Sequence, residues 1–315
     1  MFPTRSGYRR NVDIRTGAQG HCAPRHASHE RRSASRPFFM VGWRKPVGPR
    51  FAAVSQNASP GSNHRVDVWV GSTDGLLRAK SCLQLLTGKD WAALTRIQHP
   101  ASRNSSIASR ILLRLGLSMA VDRTVAPADW DFSVTAQQRP VVADGLPQIH
   151  FSVSHVDQLA AVAISPHLNI GIDVESIDQD VTEDVMAAFC HRDERRSVRD
   201  LSGPQRVREF IRLWTLKEAY TKLVGVGHAL DFQMIKFMLD PVDLASAGGG
   251  AAGVPTQFEN FYVSLNHALF HASLAVEEPR IAGSTEVRII SLADPAGGGA
   301  AQVSPSYVFP SCISP

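Results

Sequence analysis

Apolar and polar residues alternate from Arg65 to Val70, and this period of two predicts a strand. Leu76, Leu77, Leu83, Leu85 and Leu86 then predict a helix over 76–96. Ile107, Ile111, Leu112, Leu115 and Met119 recur at three- and four-residue steps and predict a second helix over 104–121. Alternation returns over 148–154, and 159–164 is an apolar run bounded by Pro166, so two neighbouring strands are expected there. A further apolar strand is expected at 169–175, followed by helices over 181–200 and 205–224. Gly225 and Gly227 stand where the second of these should end. Residues 246–253 read as a flexible loop, and 261–265 and 270–276 as closing strands. The order strand, helices, strands thus occurs twice, which suggests two similar halves at 64–168 and 169–290.

Composition changes this picture mainly at the ends. At 43% hydrophobic and 20% charged, the 315 residues suit an ordinary globular protein. No run of 18 apolar residues is present, so a membrane-spanning helix is not expected, and the first residues lack the apolar core of a secretory signal. Cys22, Cys82, Cys190 and Cys312 lie far apart, which argues against a disulfide scaffold or structural zinc and fits a reducing cytoplasm. The formal charge of +4 is uneven: residues 1–50 carry +9, and the remainder carries 22 basic and 27 acidic groups. The basic character therefore belongs to an arm over 1–63, expected to be disordered, and does not support a nucleic-acid-binding body. The arm reads as an extension preceding a later start such as Met40, an electrostatic tether, or a targeting segment. A tail over 291–315 is expected to be flexible as well.

Three groups of residues carry candidate chemistry. Asp173 and Glu175 are two apart on a strand, so both carboxylates project from one face while Ile170, Ile172 and Val174 face a core. Such a pair taken alone reads first as a solvent-facing strand edge and second as an oxygen-liganded cation site. On the helix after it, Phe210, Trp214, Glu218 and Lys222 recur every four residues and are expected to form one stripe. Its aromatic end would bury against the sheet, and Glu218 with Lys222 would emerge at the margin as a site or as a surface ion pair. The third group is Phe151-Ser152-Val153-Ser154-His155 at a strand end, with Arg139-Pro140 upstream. Adjacent strand residues point to opposite faces, so Ser154 and His155 are not a hydrolase dyad.

In order and spacing these residues resemble the 4'-phosphopantetheinyl transferases of the larger, monomeric kind. The resemblance rests on Ile170-Gly171-Ile172-Asp173-Val174-Glu175, on Phe210-x3-Trp214-x2-Lys217-Glu218-Ala219-x2-Lys222, and on the serine–histidine segment. It runs from about Val66 to Val276. Gln138-Arg139-Pro140 stands where that family has Gly-Lys-Pro, Ser152 where Asn is common, and Val156 where Ser is common. Arg96 and Arg103 are only approximate matches to its basic residues ahead of the first long helix.

The resemblance implies an α+β fold of two similar halves in a pseudo-twofold arrangement, with the active site between them. It implies transfer of the 4'-phosphopantetheine group of coenzyme A to a serine of an apo acyl or peptidyl carrier protein, releasing adenosine 3',5'-bisphosphate. Asp173, Glu175 and Glu218 are implied to bind Mg²⁺, with Glu218 and Lys222 catalytic. Arg139, Ser154, His155, Lys217 and Lys222 are implied to hold coenzyme A, with Arg139 and His155 at its nucleotide end. A cytoplasmic monomer that binds neither nucleic acid nor membrane is expected. An inactive homologue that binds carriers without modifying them is the alternative.

Overall fold

The first strand, β1 (Phe51–Ser55), lies inside the arm that composition marks as disordered, and pairs antiparallel with a strand from the far end of the chain. The computed structural model describes residues 64–137, 139–226, 230–248, 254–279 and 285–292, with the backbone of 51–55 and 302–305. These belong to one compact unit. The rest of the arm, the glycine-rich residues 249–253, Gln138 and Gly227 lie outside the described residues.

β2 (His64–Ser72) leads into three short helices, α1 (Thr73–Arg78), α2 (Lys80–Leu83) and α3 (Gly88–Leu94), where the leucine pattern predicts one. The break has a local cause. Thr87 accepts from the Asp90 backbone N–H while the Asp90 carboxylate accepts from the Thr87 N–H, a reciprocal cap that starts a new helix at Gly88. α4 (Pro100–Ala120) follows, then a hairpin of β3 (Phe132–Val134) and β4 (Pro140–Val142), then β5 (His150–Val156) and β6 (Leu159–Ser165).

The second half opens with β7 (Ile170–Ser176). The helix expected over 181–200 is two, α5 (Glu183–Phe189) and α6 (Arg192–Arg199), because His191 and Glu194 form another reciprocal cap between them. α7 (Gly203–Val224) ends at Gly225, whose φ of +75° is the left-handed cap that glycine adopts without strain. Two hairpins complete this half: β8 (Ile235–Leu239) with β9 (Val242–Ala247), and β10 (Thr256–Leu265) with β11 (Ala268–Glu277). β12 (Thr285–Leu292) and β13 (Gln302–Pro305) then return to the two sheets.

The larger sheets are ordered β1-β12-β2-β6-β5 and β13-β10-β11-β7. The order β2-β6-β5 in one is repeated as β7-β11-β10 in the other, each with a long helix on its outer face. Two details differ from the sequence reading. Residues 285–290, assigned to the second half, and 291–292, assigned to the tail, lie in the first half's sheet, parallel to β2. The tail is not wholly irregular, since 302–305 adds a strand to β10.

The sheets share one apolar core. Val66, Val68 and Val70 of β2, Ala161 and Ala163 of β6, and Ile170, Ile172 and Val174 of β7 meet Ala272, Leu274 and Val276 of β11 there. The outer faces carry α4 on the first sheet and α7 on the second. Because the period is two, the other face of β7 presents Gly171, Asp173 and Glu175 toward α7. Gly171 is required by close approach: a Cβ there would lie 1.9 Å from the Ala219 carbonyl oxygen. The helix therefore rides directly on the strand that carries the carboxylates.

Candidate active site

The edges of the two sheets meet where β5 runs beside β7, and serine side chains take the place of a strand ladder. Ser152 Oγ accepts from the Ile172 N–H at 3.0 Å, and Ser154 Oγ accepts from the Val174 N–H at 3.3 Å. Ser154 also donates to Asp173 Oδ1 at 2.8 Å. Two serines at a two-residue spacing were thus a joint between the halves, visible in sequence only as a polar alternation.

Asp173 is buried, and its Oδ1 also accepts from Lys222 Nζ at 2.7 Å, while Lys222 donates to the Ile172 carbonyl at 2.9 Å. Asp173 Oδ2 is buried and has no hydrogen-bond partner. Beside it, the Glu175 carboxyl is pushed up to about 8 by burial first and by the Asp173 charge second, with the Glu218 charge adding to the effect. A Glu175 carboxyl that holds its proton beside the Asp173 charge, next to a buried unsatisfied oxygen, fits an oxygen-liganded cation. Among the described residues, however, no three His, Cys, Asp or Glu side chains are gathered closely enough to hold a metal as they stand. Lys222 supplies the positive charge on Asp173 instead.

The four-residue stripe on α7 does not stay on one face. Residues advance about 100° each, so every four-residue step leans a further 40° or so, and Lys222 is turned about 120° from Phe210. Phe210 and Trp214 accordingly pack with Phe189 and Phe232, away from the sheet against which Trp214 was expected to bury. Glu218 and Lys222 remain toward the seam. Lys217 departs furthest from its expected role in holding coenzyme A. It is buried, and its Nζ donates to Glu194 Oε2 at 2.5 Å and to the carbonyls of Phe232 at 2.9 Å and Phe189 at 3.0 Å. It joins α7 to α6 and reaches no cleft.

Arg139 and His155 are held at different levels of the seam. Arg139 closes the β3–β4 hairpin through Thr135 and donates to the carbonyls of Leu223 at 3.2 Å and Ile170 at 3.4 Å. It lines a cleft of about 450 Å³ with Pro140, His150, Phe151 and Gly225. His155 lies five strand positions beyond His150, roughly 16 Å along β5. Its ring nitrogens meet Ser105 Oγ at 3.0 Å and Ser106 Oγ at 3.3 Å near the start of α4. One phosphate or ring therefore cannot be held by both, and only a ligand extended along β5 would meet the two. Of the other candidates, Arg103 donates to the carbonyls of Ile97 and Gln98, whereas Arg96 is exposed.

Comparison with known proteins identifies the arrangement. The 4'-phosphopantetheinyl transferase HetI of Nostoc sp. is 30% identical over 165 residues, covering 51% of this chain and 68% of HetI. The chain belongs to the 4'-phosphopantetheinyl transferases. A sequence model described as the 4'-phosphopantetheinyl transferase superfamily matches residues 169–269, which hold the carboxylate strand and α7. The 4'-phosphopantetheinyl transferase gsp of Aneurinibacillus migulanus is 37% identical over 79 residues, 25% of this chain and 32% of gsp. The L-aminoadipate-semialdehyde dehydrogenase-phosphopantetheinyl transferase of Xenopus laevis is 27% identical over 154 residues, 44% of this chain and 49% of its own length. The match thus spans only a third to a half of these last two relatives. Among the described residues, no helix of this transferase-family chain is long and apolar enough to cross a membrane.

Acid should weaken this fold. Burial, with Lys222 as the next cause, lowers His155 to about 4, and burial with the Arg212 charge lowers His271 to about 3. Below the ordinary histidine value of about 6.5, the folded state then binds fewer protons than the unfolded chain, so stability falls as pH falls. Glu175 acts oppositely, holding its proton when folded between its ordinary 4.5 and about 8. Between pH 6.5 and 4.5 two histidines outweigh one carboxyl. The melting temperature should therefore drop across that window, and His155→Gln should flatten the slope. A melting temperature that rises on acidification would contradict these assignments.

Proposed function

We propose that this chain transfers the 4'-phosphopantetheine arm of coenzyme A to a serine hydroxyl of an apo carrier protein, releasing adenosine 3',5'-bisphosphate. The observation that carries the reading is the placement of Lys222 and the unsatisfied Asp173 Oδ2 together at the seam between the halves, with Glu175 and Glu218 beside them. Family membership supports the kind of chemistry; coenzyme A as donor and a carrier serine as acceptor are what the family resemblance implies.

In this reaction the carrier serine Oγ bonds to the phosphorus bearing the pantetheine arm, and the bond from that phosphorus to the bisphosphate oxygen breaks. Glu218 takes the serine proton. Lys222, released from Asp173, donates to an oxygen of the transferred phosphate. Arg139 meets the nucleotide end from the cleft it lines, and Ser154 keeps Asp173 in place. His155 contributes hydrogen bonding without charge, because it stays neutral near pH 7. Asp173, Glu175 and Glu218, drawn closer than they stand, would hold Mg²⁺, and the ion would neutralise charge on the pyrophosphate and the leaving group.

The test is mass spectrometry of a panel of apo carrier proteins incubated with the chain, coenzyme A and Mg²⁺. The expected result is a carrier heavier by one phosphopantetheine, lost on chelation and regained with added Mg²⁺. Stable complexes with carriers that remain unmodified would favour a binding protein without transferase activity.

A further inference from the structure

Behind the carboxylates lies a chain of buried polar groups to which the proposed reaction assigns no role. Thr215 on α7 is fully buried, and its Oγ1 lies 2.9 Å from His271 Nδ1 and 2.7 Å from Ser273 Oγ. Ser273 in turn donates to Asn260 Oδ1 at 2.7 Å. The protons can be assigned. Ser273 has one, and it goes to Asn260; the single Thr215 proton is shared between Ser273 and the Arg212 carbonyl, 3.1 Å away one turn back on α7. Thr215 is then an acceptor toward His271, whose Nδ1 must carry the hydrogen. His271 Nε2 is left bare, which agrees with its being buried without a partner, since an unfilled acceptor is tolerated better than an orphaned N–H. The result is one directed relay, His271 to Thr215 to Ser273 to Asn260, tying α7 to β11 and β10.

Its position relates it to the site. In the β7–β11 ladder Ser273 is the partner of Asp173, and His271 is the partner of Glu175. Directly opposite residues on one sheet face stand about 5 Å apart. On α7, Thr215 and Lys222 are seven residues apart and so within about 20° of each other around the helix axis. The close approach at Gly171 sets how near α7 lies, Lys217 anchors its outer side to α6, and the relay grips its inner side beside the site. A rotation of about 10° would carry a side-chain tip some 6 Å from the axis through about 1 Å, and a misplacement of that size can cost about a hundredfold in rate.

We propose that the Thr215–His271–Ser273–Asn260 relay is a positioning device that, with the Lys217 anchor, sets the rotation of α7 and thereby aims Lys222 at Asp173. It rests on the transferase reading for its kinetic consequence, but not for its structural one. Thr215→Val removes the hydroxyl and keeps the shape; Thr215→Ser keeps the hydroxyl and loses the methyl.

The experiment measures kcat and the KM for coenzyme A on both variants in the full chain, and follows the Lys222 ammonium by nitrogen-15 NMR. That signal is visible when the ion pair with Asp173 shields it from exchange. Thr215→Val is expected to lower kcat roughly ten- to a hundredfold, leave KM within about threefold, and broaden the ammonium signal; Thr215→Ser should restore both. Equal losses in Val and Ser would overturn the proposal, because the methyl packing would then be what matters. An unchanged kcat and ammonium signal in Thr215→Val would overturn it too. If Thr215→Val does not fold, Ser273→Ala decides: full activity with an intact ammonium signal rejects the relay. A wild-type chain that modifies no carrier rejects the transfer reading alone, and the ammonium signal then decides the relay without kinetics.

Discussion

Asp173→Ala is expected to abolish carrier modification, by roughly a hundred- to a thousandfold or more, while leaving the fold in place. Charge stabilisation at a transferring group is worth that much when one donor or ligand is lost. The fold should survive because the substitution leaves few unmet needs. Ser154 Oγ still accepts from the Val174 N–H, and Lys222 is exposed enough for its ammonium to reach water. Ile172 and Val174 keep their places in the core. Glu175 should ionise more readily once the neighbouring charge is gone, because that charge is the second cause of its raised value. Asp173→Asn separates shape from charge and should be as inactive as Ala. Carrier modification and melting curves on both variants check this; turnover within threefold of normal would remove Asp173 from the site.

The placement of the carboxylates was legible where it depended on the period of two. Residues 170–175 read correctly on both faces because a strand surrounded by apolar partners leaves no other register: Ile170, Ile172 and Val174 enter the core, and Asp173 and Glu175 share the opposite face. α4 and α7 were legible for a similar reason, being long and strongly patterned. Short elements were not. The splits before Gly88 and Arg192 come from side-chain caps at Thr87 and His191, signals weaker than the apolar periodicity that runs through them. β12 could not have been placed, because its parallel pairing with β2 joins residues more than 200 apart and no local pattern records it.

Reading the site failed wherever a residue's direction depended on helix rotation or tertiary partners. The stripe from Phe210 to Lys222 drifts with each four-residue step, so its aromatic and charged ends serve different neighbours. Ser152 and Ser154 are small polar residues whose role appears only when β7 is alongside. The relay through Thr215 joins three segments and leaves no motif, although alternation of His271 and Ser273 with apolar residues on β11 does mark a polar face.

Lys217 and Lys222 sit five residues apart on one helix and should fail in opposite ways. Five residues turn about 140°, enough to send one ammonium into the α6–α7 interface and the other to the seam. All three protons of Lys217 are spent on Glu194, Phe189 and Phe232. Glu194 also accepts from the backbone of His191 at 2.8 Å and of Phe237 at 2.7 Å, so the pair binds α6, α7 and β8 together. Lys217→Met strands a buried carboxylate, and breaking a buried pair on one side costs about 3–5 kcal/mol. Against a total stability of about 5–15 kcal/mol, that variant should be poorly soluble or melt far below the parent. Lys222→Met leaves the buried Asp173 with only the Ser154 hydroxyl, should melt below the parent but well above Lys217→Met because no anchor between elements is lost, and should transfer slowly because one cation facing the transferred phosphate is gone. Removing the stranded charge as well, in Lys217→Met with Glu194→Leu, should recover much of the lost stability, since replacing both partners by apolar groups is often neutral. Melting temperature and calorimetric affinity for coenzyme A, measured on all three, distinguish the roles. A Lys217→Met variant that folds like the parent yet no longer binds coenzyme A would return Lys217 to the ligand site and contradict its burial against Glu194.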